Sequence, residues 1–218
     1  MSSPQPISAS GDTVERILSV AETLFAQQGF AAVSMNAIAE AAGVCKANVF
    51  HHFTSKNDLY MAVLRNACKD SNQHLNDLGS EALPWADRLA QFSQAHLQTI
   101  LEHGQATRLS LRELLNDDRR QGQELAEKVY GEKFSRFVAI LRAGQAAGAL
   151  RKDIDPAAVA TVLLGANLFF FQARAVLRHF PDVNFTQHPE LYSHLLTDIL
   201  LHGILPASSV SKKNKDRL

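Results

Sequence analysis

Residues 33–60, VSMNAIAEAAGVCKANVFHHFTSKNDLY, restrict the fold of this chain more than any other stretch. They read as two short helices joined by a tight glycine turn, with a third helix starting at once. Ser34 is a suitable N-cap for the first helix, because a serine hydroxyl can accept from an orphan backbone N–H. Val33 and Ile38 stand at the N′ and N4 positions of a hydrophobic staple. Ala37, Ile38, Ala41 and Ala42 give that helix a small apolar face. Gly43 supplies the left-handed backbone that a side chain resists. Val44 can plug the angle between the helices, and the second helix is expected from about Cys45 to Phe53. Ser55 and Asp58 form an S-x-x-D capping box that opens the next helix, with Lys56 in its first turn. This is the sequence form of a helix-turn-helix, whose second helix enters the DNA major groove.

Around the motif the pattern is helix after helix. Over residues 12–28, Val14, Ile17, Leu18, Ala21, Leu24 and Phe25 fall on one stripe with the 3.6-residue period. A fourth helix is expected over 57–78, carrying Leu59, Tyr60, Val63 and Leu64, and residues 79–84 end it. Further helices are expected at about 85–102, 105–116, 121–147, 156–179 and 189–205. There is no strand-like alternation and no Asn-Gly hairpin. The polar N-terminal MSSPQPISASG reads as a disordered arm, and the basic SKKNKDRL at the other end as an unstructured tail.

With those residues in view, the stretch from about Val14 to Leu64 resembles the DNA-binding domain of the TetR family of bacterial transcriptional regulators. The resemblance rests on Gly29-Phe30 closing the first helix, Ile38-Ala39 and Ala42-Gly43-Val44 across the turn, and Val49-Phe50-His51-His52-Phe53 followed by Ser55-Lys56 and Asp58-Leu59. Two positions depart from the family pattern. Cys45 stands where Ser or Thr is usual, and Ala47 lies where Gly or Pro is frequent nearby.

Lys46, Ala47, Asn48 and His51 lie early or outward on the second helix, where base edges are reached. Asn48 can donate to and accept from adenine, and its ordinary alternative is a solvated surface side chain. Ser34 can offer its hydroxyl or its helix's first amides to phosphate, although capping alone explains it. The resemblance implies phosphate contacts for His52 and Lys56. Val49, Phe50 and Phe53 read as packing residues. Cys45 begins the same helix. A thiol there can have a lowered pKa, but no second cysteine lies nearby, and a small N-cap is the alternative reading.

Charge helps this reading little. The 218 residues carry a formal net charge of zero, and within 34–56 Glu40, Lys46 and Lys56 sum to +1. A DNA-reading surface of this kind relies on hydrogen bonds as well as charge, and a dimer doubles each phosphate contact. With 46% hydrophobic residues the chain can build one large or two small helical units. The two cysteines, Cys45 and Cys68, form no CxxC and no secretory signal is evident, so a reduced, cytoplasmic protein is expected.

The nine histidines include His96 and His103 seven apart on one helix, yet no carboxylate or Cys joins them at ligand spacing. No G-x-S-x-G, P-loop or H-E-x-x-H occurs, so neither a metal, a cofactor nor catalysis is expected.

Residues 157–177, AAVATVLLGANLFFFQARAVL, are apolar nearly all round and long enough to cross a bilayer. Asn167, Gln172 and Arg174 speak against a membrane span, and a helix apolar on every side suits double burial. The resemblance implies that this helix (156–179) and the last one (189–205) pair with their copies in a homodimer. It also implies a ligand pocket between about Trp85 and Phe171, for which Trp85, Phe92, His96, Phe134, Phe137, Leu141 and Phe170 are candidates. Aromatic stripes at helical spacing are as readily plain core.

The sequence thus points to an all-α chain of about nine helices. A disordered arm (1–11) precedes a three-helix DNA-binding domain (12–60), a larger helical ligand-binding and dimerisation domain (61–206) and a basic tail (207–218). The function expected is a ligand-responsive regulator, most readily a repressor, that binds a palindromic DNA operator as a homodimer and is released by a small apolar or amphipathic effector. The alternatives are an activator, a regulator without a ligand, or a small-molecule-binding or catalytic helical domain with a merely structural helix-turn-helix.

Overall fold

The computed structural model describes residues 9–80, 82–115 and 119–202. The expected tail lies outside this range, as do residues 1–8 of the expected arm, while 9–11 already belong to the first helix. All regular structure among the described residues is helical. The chain forms two compact units that do not follow sequence order: residues 1–73 with 99–136, and 74–98 with 137–218. Residue 60, the expected domain boundary, falls inside a helix of the first unit.

In the first unit, α1 (Ala9–Ala32) buries Ile17, Ala21 and Phe25 along its predicted stripe. Its regular helix breaks at Gly29, where φ is 82° and ψ 159°. α2 (Met35–Ala41) starts where Ser34 Oγ accepts from the Ala37 amide at 3.1 Å. Gly43 turns the chain at φ 64°, a conformation that strains any residue with a Cβ. α3 (Lys46–His52) and α4 (Lys56–Ala67) follow. α4 buries six consecutive residues, Leu59 to Leu64, so it has no solvent face along that stretch and forms the axis of the unit. Around it pack α1, α7 (Gly104–Leu114) and a π-helical segment (Ala126–Tyr130) that follows α8 (Arg119–Leu125). Phe25 meets Tyr60 edge-on at 4.9 Å, and Phe30 lies 5.0 Å from the same ring. Full burial of a side chain such as Phe25 contributes roughly 2–3 kcal/mol.

The single helix expected over 57–78 is two helices, α4 and α5 (Ser71–Gly79). Between them the amides of Cys68, Lys69 and Ser71 bond to carbonyls three residues back, which tightens the turn. The Cys68 carbonyl also accepts from Lys133 Nζ, a contact no local pattern foretells. The helix expected over 121–147 runs without interruption from Arg119 to Ala146 as α8, the π segment and α9 (Gly131–Ala146).

In the second unit, Phe92 and Leu97 of α6 (Trp85–Glu102), Phe137 and Leu141 of α9, and Leu163 and Phe170 of α10 (Pro156–Leu177) are all buried, and the Phe92 ring packs on that of Phe137. α10 opens on an Asp155 cap that accepts from the Ala157 amide at 2.8 Å, with Pro156 in the first turn. α11 (Pro189–His202) is held to α10 by Tyr192, whose hydroxyl donates to the Ala166 carbonyl at 2.7 Å and whose ring stacks 4.4 Å from Phe170.

Candidate nucleic-acid interface

The seven-residue α3 is anchored by one side only. Val49 is fully buried and Phe53, just past the helix, is nearly so. Lys46, Ala47, Phe50 and His51 are exposed, and Asn48 and His52 are partly buried at the margin. The four-residue step from Val49 to Phe53 fixes the inward stripe, and the 46–47 and 50–51 pairs take the outward one. Phe50 corrects the expectation of a packing residue. It is 42% exposed, with the Lys46 ammonium 5.7 Å from its ring centroid. The His51 and His52 rings meet edge-on at 5.0 Å.

Cys45 has the extended backbone of an N-cap, but its exposed thiol makes no capping hydrogen bond. The short-N-cap reading therefore holds for the backbone and not for the side chain. Ser34 is exposed and already accepts from its own helix. The capping box is shifted by one residue. Ser55 Oγ accepts from the Asp58 amide at 3.0 Å, whereas Asp58 Oδ2 reaches back to the amide and hydroxyl of Thr54 at 2.9 and 3.2 Å.

Lys56 stands apart from the other candidates. Its Nζ donates to the carbonyls of Phe30, Ala31 and Val33 at 2.8, 3.3 and 3.0 Å and lies 4.4 Å from the Phe30 ring centroid. An ammonium has three protons, and all three meet carbonyls beyond the Gly29 break. In this conformation Lys56 is a strut between α4 and the end of α1, and a phosphate could engage it only by displacing those bonds.

The seven candidate pocket residues separate. Phe92, Phe137, Leu141 and Phe170 are buried, and Phe92 and Phe137 are 4.5 Å apart. His96 lies parallel to Phe92 at 6.0 Å and its Nδ1 is 3.0 Å from Asn167 Nδ2. Trp85 packs where Gly144 leaves no room for a Cβ, which would come within 2.6 Å of the indole. Phe92, Phe137, Leu141 and Phe170 belong to the core of the second unit, and Trp85 and His96 are half-buried in it. Phe134 lines a cleft in the first unit with Glu113, Leu125 and Tyr130.

Sequence reasoning missed two buried polar groupings. Glu113 accepts from the Tyr60 hydroxyl at 2.5 Å and from Gln121, with Arg112 Nε at 3.6 Å. Asn167 donates to the Ser93 carbonyl at 3.1 Å, while its own Oδ1 and the Ser93 hydroxyl have no protein partner. A signal existed for both. Glu113 falls in register with buried Ala106 and Leu109, and Asn167 with Leu163 and Phe170. A polar residue on a core stripe needs a partner. Among the described residues no three His, Cys, Asp or Glu side chains gather as metal ligands.

A glycine-turned helix pair that presents a short helix by its outer face, in an otherwise helical chain, defines a helix-turn-helix DNA-binding regulator. The family model described as "Bacterial regulatory proteins, tetR family" matches residues 17–63, and that described as "Tetracyclin repressor-like, C-terminal domain" matches 86–197. The chain belongs to the TetR family of bacterial transcriptional regulators. It is 29% identical to the HTH-type transcriptional repressor KstR2 of Mycolicibacterium smegmatis over 65% of this chain and 69% of that one. It is 35% identical to the HTH-type transcriptional regulator RutR of Escherichia coli over 45% of this chain and 46% of that one. Among solved structures, FadR from Bacillus subtilis in complex with stearoyl-CoA has a similar fold, with a TM-score of 0.71 at 17% identity over 88% of this chain and 99% of that one.

Proposed function

We propose that this DNA-binding transcriptional repressor acts as a cytoplasmic homodimer on a palindromic operator and is released by a small apolar or amphipathic effector. Residues 12–60 serve as the DNA-binding domain. Lys46, Ala47, Asn48 and His51 face the major groove, with Ser34, Cys45 and His52 at its phosphate margins. The observation that carries the reading is the one-sided seating of α3, with Val49 and Phe53 buried beneath it and Lys46, Ala47 and His51 exposed above.

The body of the chain supplies the dimer. Among the described residues α10 is long and apolar enough to cross a membrane, yet only 28% of its most apolar stretch is buried within this chain. Its exposed Val162, Phe169 and Val176 are seven residues apart, and Leu191, Leu195 and Ile199 of α11 are exposed at four-residue steps. Both repeats make straight apolar ridges of the kind that pair across a two-fold axis. Such a pair would set the separation of the two α3 helices, and DNA requires about 34–36 Å between half-sites. An effector that prefers a dimer with another separation lowers operator affinity by linkage.

The decisive experiment is fluorescence anisotropy of the purified protein on the DNA upstream of its own gene, with and without lipophilic effectors. Salt-sensitive nanomolar binding to a palindrome supports the reading. Equal affinity for that DNA and for random duplex would refute it.

A further inference from the structure

The cleft lined by Phe134 is built by an irregularity in the chain. The π segment Ala126–Tyr130 widens the helix between α8 and α9, and π turns of this kind recur at functional sites. Gly131 makes that turn possible, since a Cβ there would collide with the Ala126 carbonyl oxygen. The resulting space is about 240 Å³, lined by Glu113, Leu125, Ala126, Tyr130 and Phe134, with Gly122 among the lining residues. A cavity of roughly 150 Å³ holds benzene, so this one has room for a ring and a short chain.

Its chemistry selects the sign of charge on an occupant. Among the described residues the lining is apolar and aromatic apart from Glu113, the one lining residue with a charged side chain. Glu113 Oε1 takes the Tyr60 hydroxyl and the approach of Arg112, whereas Oε2 meets the uncharged amide of Gln121. A carboxylate has lone pairs enough for a further donor on Oε2. Two aromatic rings beside a carboxylate favour a cation over a neutral or anionic head.

The same carboxylate leads to the DNA-binding helices. Tyr60 on α4 donates to Glu113, and burial together with that bond pushes its pKa up to about 12, so it remains a donor. Its ring rests on Phe25 and Phe30, and Phe30 in turn is held by Lys56. We propose that this cleft is a receptor site for a small amine with an aromatic or alkyl body, and that its occupancy reaches α3 through Glu113, Tyr60 and Phe30. The proposal rests on the chain's being an effector-responsive regulator and names the chemical class of one effector.

The test uses the full-length protein and three probes of matched size: 3-phenylpropylamine, 3-phenylpropanol and 3-phenylpropanoate. Calorimetry should show the amine binding at least tenfold more tightly than the alcohol, and the acid weakest. Gly122 is exposed and a Cβ there meets open space, so Gly122→Leu can reach into the cleft without strain in the fold. It should weaken amine binding at least tenfold. Glu113→Gln should erase the preference for amine over alcohol while the alcohol still binds. Tyr60→Phe should leave amine affinity within threefold of wild type yet shrink the amine's effect on upstream-DNA affinity. Equal binding of the three probes, no amine binding at millimolar concentration, or binding indifferent to Gly122→Leu overturns the site. An amine effect on DNA unaltered by Tyr60→Phe overturns the route. Should the protein not bind its upstream DNA at all, the regulator reading fails, while calorimetry still decides the cleft.

Discussion

The ammonium of Lys56 donates to the Phe30 carbonyl at 2.8 Å and at the same time lies 4.4 Å from the centroid of the Phe30 ring. One side chain thereby holds both the backbone and the ring of the residue after the Gly29 break. Charge-assisted hydrogen bonds contribute about 1.5–3 kcal/mol each when partly buried, and they are not additive. Lys56→Ala should therefore lower the unfolding free energy by about 2 kcal/mol, measured as a shift of the urea midpoint. If stability is unchanged and the salt dependence of DNA binding becomes shallower by about one phosphate, the lysine serves DNA instead.

Lys46 and Asn48 should behave differently from Lys56 and from each other. Lys46 is exposed at the start of α3. Its replacement by Ala should weaken binding to all sequences and reduce the salt slope by about one unit. Asn48→Ala should change preference at one or two base pairs per half-site, with a loss of roughly 1–3 kcal/mol in discrimination. An equal drop for operator and random DNA would make Asn48 a positioning residue rather than a reader of sequence.

His96 carries an acid-sensitivity that can be read directly. Asn167 Nδ2 donates one hydrogen to the Ser93 carbonyl, which leaves the other for His96 Nδ1 and places the imidazole proton on Nε2. Burial, with a smaller repulsion from His74, lowers the His96 pKa to about 4 from the usual 6.5. Between those values the unfolded chain binds the proton and the folded chain does not. Stability is therefore whole above pH 6.5 and falls as the pH drops toward 4, by on the order of 2–3 kcal/mol in total. Glu22 opposes this, because burial raises its pKa and the folded state takes up its proton first. The comparison to make is thus wild type against His96→Phe by urea unfolding from pH 7 to 4.5, and the variant should show the flatter profile. Parallel profiles would mean that His96 is protonated in the folded state.

The features legible in the sequence were those decided within a few residues. Ser34 caps a helix three residues on, Gly43 turns the chain by its own φ, and Val49 with Phe53 follows from helical period alone. What escaped was set by distant partners. The carbonyls that hold Lys56 lie 23 to 26 residues away, Glu113 meets Tyr60 across 53, and Asn167 finds Ser93 across 74. The break between α4 and α5 belongs to the same class, since Lys133 bonds the Cys68 carbonyl from 65 residues on. Phe50 misled for another reason. In a helix of seven residues only one stripe is anchored, and an aromatic beside it need not be buried. Local pattern could not separate pocket lining from plain core among the candidate aromatics, because core and ligand cavity share one composition.

The dimer prediction bears on all of the DNA-binding results. Phe169 is 65% exposed in the middle of the α10 ridge, between Val162 and Val176 at 52% and 62%. Gly165, one turn earlier on α10, is exposed, and a Cβ there meets open space. An arginine at 165 therefore clashes with nothing in its own subunit, so its effect on assembly is separable from its effect on folding. Gly165→Arg and Phe169→Glu should each keep the helical circular-dichroism spectrum while light scattering shows half the mass. Each places a charge where a two-fold contact would bury it without a partner, a cost of several kcal/mol counted on both subunits. Operator affinity should then fall by at least a hundredfold, because each half-site is left to one short helix. A folded wild-type monomer at micromolar concentration, or variants that remain dimeric, would place the contact elsewhere and remove the separation-based switch with it.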